Sequence, residues 1–141
     1  MRGTSVRSES RALLIFDSDV LFWFARGDAA AGRLVDSEPA RGVSAVALME
    51  LLRGTRSRAE IKETRQFLAE QQFRVLPLTE SIGYTAVSLI EQFAHSDGLR
   101  VSEAIIAATA LEYGARLATA NDRHFRMISG LTLRRFRRSS E

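Results

Sequence analysis

Five acidic or amide side chains in this chain could do chemistry together: Asp17, Glu50, Glu103, Asn121 and Asp122. Each falls at a junction between an apolar stretch and a helix. Asp17 ends the run Leu13-Leu14-Ile15-Phe16, which reads as a buried strand. Glu50 lies on an apolar helical pattern after a second short strand. Glu103 opens another helix, and Asn121-Asp122 follow the strand-like Arg116-Leu117-Ala118-Thr119. In an open parallel α/β sheet the carboxyl ends of the strands line up along one edge, where ligands bind. Side chains far apart in sequence therefore converge there. Carboxylates gathered in one cleft repel each other and need a compensating charge. A hard divalent cation, Mg²⁺ or Mn²⁺, supplies it, taking oxygens from one or two carboxylates and completing its shell with water and substrate phosphate. Two such ions can clamp the attacking and leaving oxygens of a phosphodiester displacement.

Each residue also has a plainer reading. Asp17 could simply cap the helix that follows. Glu50 could pair with Arg53. An acid such as Glu103 in a first helical turn is favoured by the helix dipole alone, and Asn121-Asp122 could be an ordinary turn. The two histidines, His95 and His124, read as surface or packing residues. Trp23, between Phe22 and Phe24, reads as core or dimer interface rather than as a base-stacking platform. There is no nucleophile-elbow motif to support a serine triad.

The elements that must position these groups alternate along the chain. After the strand at 13–16, Ser18 or Asp19 caps a short helix that Gly27 closes. Asp28–Ser37 reads as a second small helix. Gly42–Val46 is a short strand, and Ser44 caps a helix with Ala45, Leu48, Met49 and Leu52 on one face, ended by Gly54. Arg56–Gln72 is a polar helix with Ile61, Phe67 and Leu68 as its buried stripe. Phe73–Pro77 is a third strand. Thr79 starts an amphipathic helix carrying Ile82, Ala86, Leu89, Ile90 and Phe93, ended by Asp97-Gly98. Ala104–Tyr113 is apolar nearly all round, as a mostly buried helix is, and Gly114 caps it. A fourth strand (116–119), a helical turn around His124–Ile128 and a last strand (131–133) complete the order. Strands alternating with helices imply a parallel α/β sheet.

The length, 141 residues, suits one domain. The expected division is a disordered leader at 1–11, a domain at 12–135 and a basic flexible tail at 136–141. There is no cysteine, hence no disulfide and no thiolate metal site. No apolar run approaches membrane-span length, and the N-terminus has no apolar signal core, so a cytoplasmic protein is expected. Net charge is only +3, but of the 20 basic residues Lys62 alone is lysine. Arginine enrichment fits genomic base composition or phosphate recognition. Arg123, Arg134, Arg135, Arg137 and Arg138 gather near the end, as an RNA footprint or as a solvated terminus would.

The chain resembles the PIN-domain ribonucleases, in particular the VapC toxins of bacterial type II toxin–antitoxin pairs. The resemblance runs from about Leu13 to Leu133. It is carried by Phe16-Asp17-Ser18-Asp19-Val20-Leu21, by Ser44–Gly54 around Glu50, by Leu99–Ala110 around Glu103, and by Leu117-Ala118-Thr119-Ala120-Asn121-Asp122-Arg123-His124-Phe125. It implies a three-layer α/β/α sandwich around a parallel sheet. It also implies that Asp17, Glu50 and Glu103 bind metal, that Asn121 or its neighbour Asp122 fills the fourth acidic or amide position, and that Ser18 and Thr119 line the site. Glu103 stands where the family usually has Asp. The implied activity is Mg²⁺- or Mn²⁺-dependent cleavage of single-stranded or loop RNA, by a homodimer neutralised by a small VapB-like antitoxin.

Two other readings compete. A degenerate PIN module would bind RNA or antitoxin without cutting. Asp17-Ser18-Asp19 after a strand also resembles the first motif of haloacid-dehalogenase-like phosphatases, but the late lysine and downstream acidic pair of those enzymes are missing.

Overall fold

A computed structural model describes residues 13–139; the leader expected at 1–11 lies outside the described residues. Five parallel strands form one sheet in the order β3-β2-β1-β4-β5: β1 (Leu13–Phe16), β2 (Ala40–Ser44), β3 (Phe73–Leu76), β4 (Arg116–Thr119) and β5 (Thr132–Arg135). Helices flank it: α1 (Ser18–Ala25), α2 (Ala29–Ser37), α3 (Ala45–Arg53), α4 (Arg58–Glu70), α5 (Glu80–Asp97) and α6 (Val101–Tyr113). This is the expected α/β/α arrangement. All four residues of β1 are buried, as a central parallel strand covered on both faces requires.

The chain builds outward from β1 through β2 to β3, then returns to the other side of β1 for β4 and β5. The order therefore reverses between β1 and β4. A crevice opens at such a reversal, beyond the carboxyl ends of the two strands. Phe16 pairs with Ala118 across it, and the Asp17 N–H donates to the Ala118 carbonyl at 2.9 Å. That rung fixes where β1 stops and Asp17 begins.

Several boundaries differ from the sequence reading for local reasons. Asp17, not Ser18 or Asp19, is the N-cap of α1, its carboxylate accepting the Ser18 N–H. β2 ends at Ser44 because that residue turns out of the strand to cap α3, accepting the Ala47 N–H at 3.0 Å. α6 begins at Val101, since Glu103 reaches back to the Arg100 N–H and closes the first turn earlier. β5 runs to Arg135, paired with Thr119. In α4 only Leu68 is fully buried, and Ile61 of the proposed stripe is exposed. The expected tail is seated on the body as far as Ser139: Phe136 is buried and its N–H donates to the Thr119 carbonyl at 2.9 Å.

Candidate active site

The crevice between β1 and β4 holds a small cleft of about 130 Å³. Asp17, Ser18 and Asp19 line it from β1 and α1, Glu50 from α3, Arg100, Ser102, Glu103 and Ile106 from α6, and Asn121 from beyond β4. Four of the five side chains singled out in the sequence thus converge.

Asp17 sits deepest, 7% exposed. Its Oδ1 accepts the Ser18 N–H at 2.8 Å and its Oδ2 accepts the Thr119 hydroxyl at 2.8 Å. The plain reading of Asp17 as a helix cap therefore holds, and the same carboxylate lines the cleft. Burial pushes its carboxyl up from 3.8 to about 7, helped by the adjacent Asp19 and then Glu50 and opposed by the Thr119 and Ser18 donors. Asp19 is raised as well, mainly by burial, against the backbone donor at Ala120. Its Oδ2 accepts the Ala120 N–H at 3.1 Å and lies 3.4 Å from the Asn121 amide nitrogen, while its Oδ1 is buried with no hydrogen-bond partner.

Glu50 comes to the site from the exposed side of α3, and its Oε1 accepts the Ser18 hydroxyl at 3.0 Å. The alternative pairing with Arg53 is replaced by this contact. Glu103 is more engaged than its sequence position suggests. One oxygen accepts the Arg100 N–H at 3.0 Å, and the other lies 2.7 Å from His124 Nδ1. Thr119 is fully buried; besides donating to Asp17, its hydroxyl accepts the Asn121 N–H at 3.0 Å. This turns the Asn121 side chain toward Asp19.

Asp122 does not join the cleft. It starts a short 3₁₀ turn, Asp122–His124, and pairs with Arg135 Nε at 3.6 Å. Of the two candidates for the fourth acidic or amide position, Asn121 lines the cleft and Asp122 does not: the turn points successive side chains in different directions, and an arginine on β5 takes the second one. The sequence reading missed Asp19 and His124 as site residues. Asp19 had a signal, the Asp-x-Asp spacing at the end of an apolar strand. His124 had none, being 21 residues from Glu103 in sequence.

The donor set suits a hard divalent cation. Every candidate ligand is a carboxylate or amide oxygen, two of the acids are buried against each other, and one oxygen of Asp19 is an orphan. Among the described residues, no three acidic or imidazole groups already stand close enough to enclose an ion. Arg123 and Arg134 are exposed and line neither this cleft nor the cavity next to it. Among the described residues no helix is long and apolar enough to cross a membrane.

A family model for the PIN domain matches residues 14–131. A comparison with curated proteins finds no match. Among solved structures, the chain is similar to one from a toxin–antitoxin complex of Klebsiella pneumoniae. That likeness has 25% identity and a TM-score of 0.72, and covers 84% of this chain and 95% of that one. A chain of VapBC2 from Rickettsia felis, in a structure with a DNA fragment from its promoter, matches with 14% identity and a TM-score of 0.74, covering 89% and 99%. A chain of VapBC-1 from nontypeable Haemophilus influenzae matches with 20% identity and a TM-score of 0.70, covering 87% and 97%.

Proposed function

The chain belongs to the PIN-domain family, and on that premise we propose that it is a VapC-type toxin, a Mg²⁺- or Mn²⁺-dependent endoribonuclease acting on single-stranded or loop RNA. The observation that carries this reading is the group of oxygen-only side chains at the β1/β4 reversal, with Asp17 buried and its carboxyl pushed up to about 7. Such a site is poised to exchange protons for a cation. Asp17 and Glu50 would hold the ion, with Glu103 and the orphan oxygen of Asp19 the further donors within the same cleft. The bound ion would neutralise these acids, polarise the scissile phosphodiester and lower the pKa of an attacking water. The chain's own part is orientation. Thr119 and Ser18 fix the Asp17 carboxylate, Ser18 also tethers Glu50, and the Asn121 side chain faces Asp19 from across the cleft.

A larger groove of about 690 Å³ adjoins the cleft between α1, α3 and α4. Phe22, Trp23 and Leu51 line it, together with Glu50, Glu60 and Glu63. Arg26 and Arg56 line it too, Arg56 paired with Glu60, and this mixture of exposed apolar and charged side chains suits a small antitoxin of the VapB kind that covers the active site. The Klebsiella relative, itself from a toxin–antitoxin complex, supports this pairing. A homodimer and a cytoplasmic location complete the proposal.

One observation favours the non-cutting alternative. Both Glu103 oxygens already have partners, in Arg100 and His124, so this acid is less available than Asp17. Incubating purified protein with a mixed structured RNA separates the two. Fragments that need Mg²⁺ or Mn²⁺, and that vanish with EDTA and with Asp17→Asn, are expected. RNA binding without cleavage under any metal would replace the nuclease with a binding module.

A further inference from the structure

The arginines near the end of the chain do not line the catalytic cleft. Arg135, Arg137 and Arg138 wall a neighbouring cavity of about 310 Å³ with Trp23, and the Arg138 guanidinium lies 4.3 Å over the Trp23 ring. The basic side chain that does line the cleft is Arg100, and among the described residues it is the only one. Arg100 is exposed and sits at the N-cap of α6. Its backbone N–H donates to Glu103, but its guanidinium donates no hydrogen bond and makes no ion pair among the described residues. The acids around it have other partners. Asp17 accepts from Ser18 and Thr119, Asp19 from Ala120, and Glu50 from the Ser18 hydroxyl, while Glu103 meets His124. Ser102, two residues on, also lines the cleft, and its hydroxyl likewise has no protein partner among the described residues.

A phosphodiester in the cleft would need those donors. Four carboxylates line it, from Asp17, Asp19, Glu50 and Glu103. One divalent cation offsets two of their charges, and the phosphate brings another negative charge of its own. A guanidinium keeps its proton at any working pH and carries donors only. Its planar fork meets two phosphate oxygens at once. Donors fixed where negative charge grows during the reaction lower the barrier most, because they need no reorganisation at that moment. We propose that Arg100, with the Ser102 hydroxyl beside it, holds the non-bridging oxygens of the scissile phosphodiester from the α6 wall, while Asp17, Asp19 and Glu50 line the cleft from β1, α1 and α3. The inference rests on the ribonuclease reading and adds to it a residue that orients the phosphate, a task the carboxylates cannot perform.

The test compares Arg100→Ala with Arg65→Ala, which removes the same charge from an exposed position of α4 outside the cleft. Single-turnover cleavage of a labelled single-stranded RNA in Mn²⁺ is expected to fall about a hundredfold in Arg100→Ala, the scale on which one such donor acts, and to stay unchanged in Arg65→Ala. Arg100→Lys keeps the charge but not the fork, and is expected to cleave at an intermediate rate. Fluorescence anisotropy with the same RNA in Ca²⁺, the strand checked intact on a gel, reads the contact apart from the chemistry. Each phosphate contact on a single strand contributes about 0.7 to the slope of log affinity against log salt. Arg100→Ala is expected to lose that much, and Arg100→Lys and Arg65→Ala nearly none. Mn²⁺ is expected to raise the melting temperature of Arg100→Ala as much as that of the wild type. If the wild type cuts and Arg100→Ala matches Arg65→Ala in rate or in slope, the assignment is overturned. Loss of the Mn²⁺-induced rise in Arg100→Ala would overturn it too, by making Arg100 a support for the carboxylates. The failure of the nuclease reading looks different: the wild type would cut nothing in any metal, while the slope would still drop in Arg100→Ala and not in Arg65→Ala.

Discussion

Asp17→Asn should stabilise the metal-free protein while abolishing its activity. The Asp17 carboxyl is 7% exposed and its pKa is raised from 3.8 to about 7, through burial first and the Asp19 and Glu50 charges after it. The folded protein therefore holds this proton more tightly than the unfolded chain does. Below about pH 4 both states are protonated and no penalty exists. Between about pH 4 and pH 7 the unfolded chain has released the proton and the folded protein has not, so stability falls as pH rises, and above about pH 7 the loss is complete. At 1.36 kcal/mol per unit, the full penalty is about 4 kcal/mol, of which less than half is already present at pH 5. Asparagine is nearly isosteric and carries no charge. Its oxygen can keep the Ser18 N–H, and its amide can donate to the Thr119 hydroxyl. Thermal unfolding followed by circular dichroism in EDTA, at pH 5 and at pH 8, reads the difference. The variant should melt higher at pH 8 by about 10 °C, given roughly 2–4 °C per kcal/mol in domains of this size. The gain at pH 5 should be less than half as large. A gain of the same size at both pH values, or a loss at pH 8, would refute the idea that Asp17 is a carboxylate held against its own burial.

The remaining predictions concern its neighbours. Mn²⁺ at a hundred times its dissociation constant should stabilise the wild type by about 2.7 kcal/mol and leave Asp17→Asn nearly unmoved, as differential scanning calorimetry would show. Glu50→Gln should change stability by less than about 0.5 kcal/mol, because Glu50 is exposed and is tethered by the Ser18 hydroxyl, yet lower RNA cleavage by about a hundredfold or more in single-turnover assays. Thr119→Val should cost about 1–3 kcal/mol in urea unfolding, since it strips a donor from Asp17 and an acceptor from the Asn121 N–H. The same change should push the Asp17 carboxyl higher still and move the pH dependence of cleavage upward.

Most of the fold was legible because its signals are local. Leu13–Phe16 reads as a buried strand once strands and helices alternate, and Ser44, Thr79, Gly98 and Gly114 each cap a helix as their types suggest. The errors came where one residue serves two structures. Ser44 belongs to β2 by pairing and to α3 by its side chain, so the strand stops sooner than its apolar pattern does. The end of the chain misled for a related reason. Residues 136–141 read as a flexible tail, and the arginines around them as an RNA footprint or a solvated terminus, but Phe136 is buried, and Ser139 has a partner 111 residues away that no local pattern announces.

The site was legible as a set of residue types and less so as a geometry. Asp17, Glu50, Glu103 and Asn121 do meet, because the strand order reverses between β1 and β4. What spacing could not disclose is how each acid divides its oxygens. Glu103 has both oxygens occupied by Arg100 and His124, Asp122 has turned to Arg135, and Asp19 keeps a buried oxygen with no partner at all. An unpaired buried carboxylate oxygen is unfavourable unless something else satisfies it. The acid with most to gain from a cation beside Asp17 is therefore Asp19, whose Asp-x-Asp spacing from Asp17 was the one sign of it in the sequence. The pair Glu103–His124 instead ties α6 to the turn after β4, holding the far wall of the cleft at a fixed distance from the acids opposite. On that arrangement Glu103→Gln should loosen the wall by weakening the His124 contact, whereas Asp19→Asn should remove the orphan charge and, like Asp17→Asn, raise the melting temperature most at alkaline pH. If Asp19→Asn destabilises the metal-free protein at pH 8, the orphan oxygen has a partner in solution and the assignment of strain to this carboxylate fails.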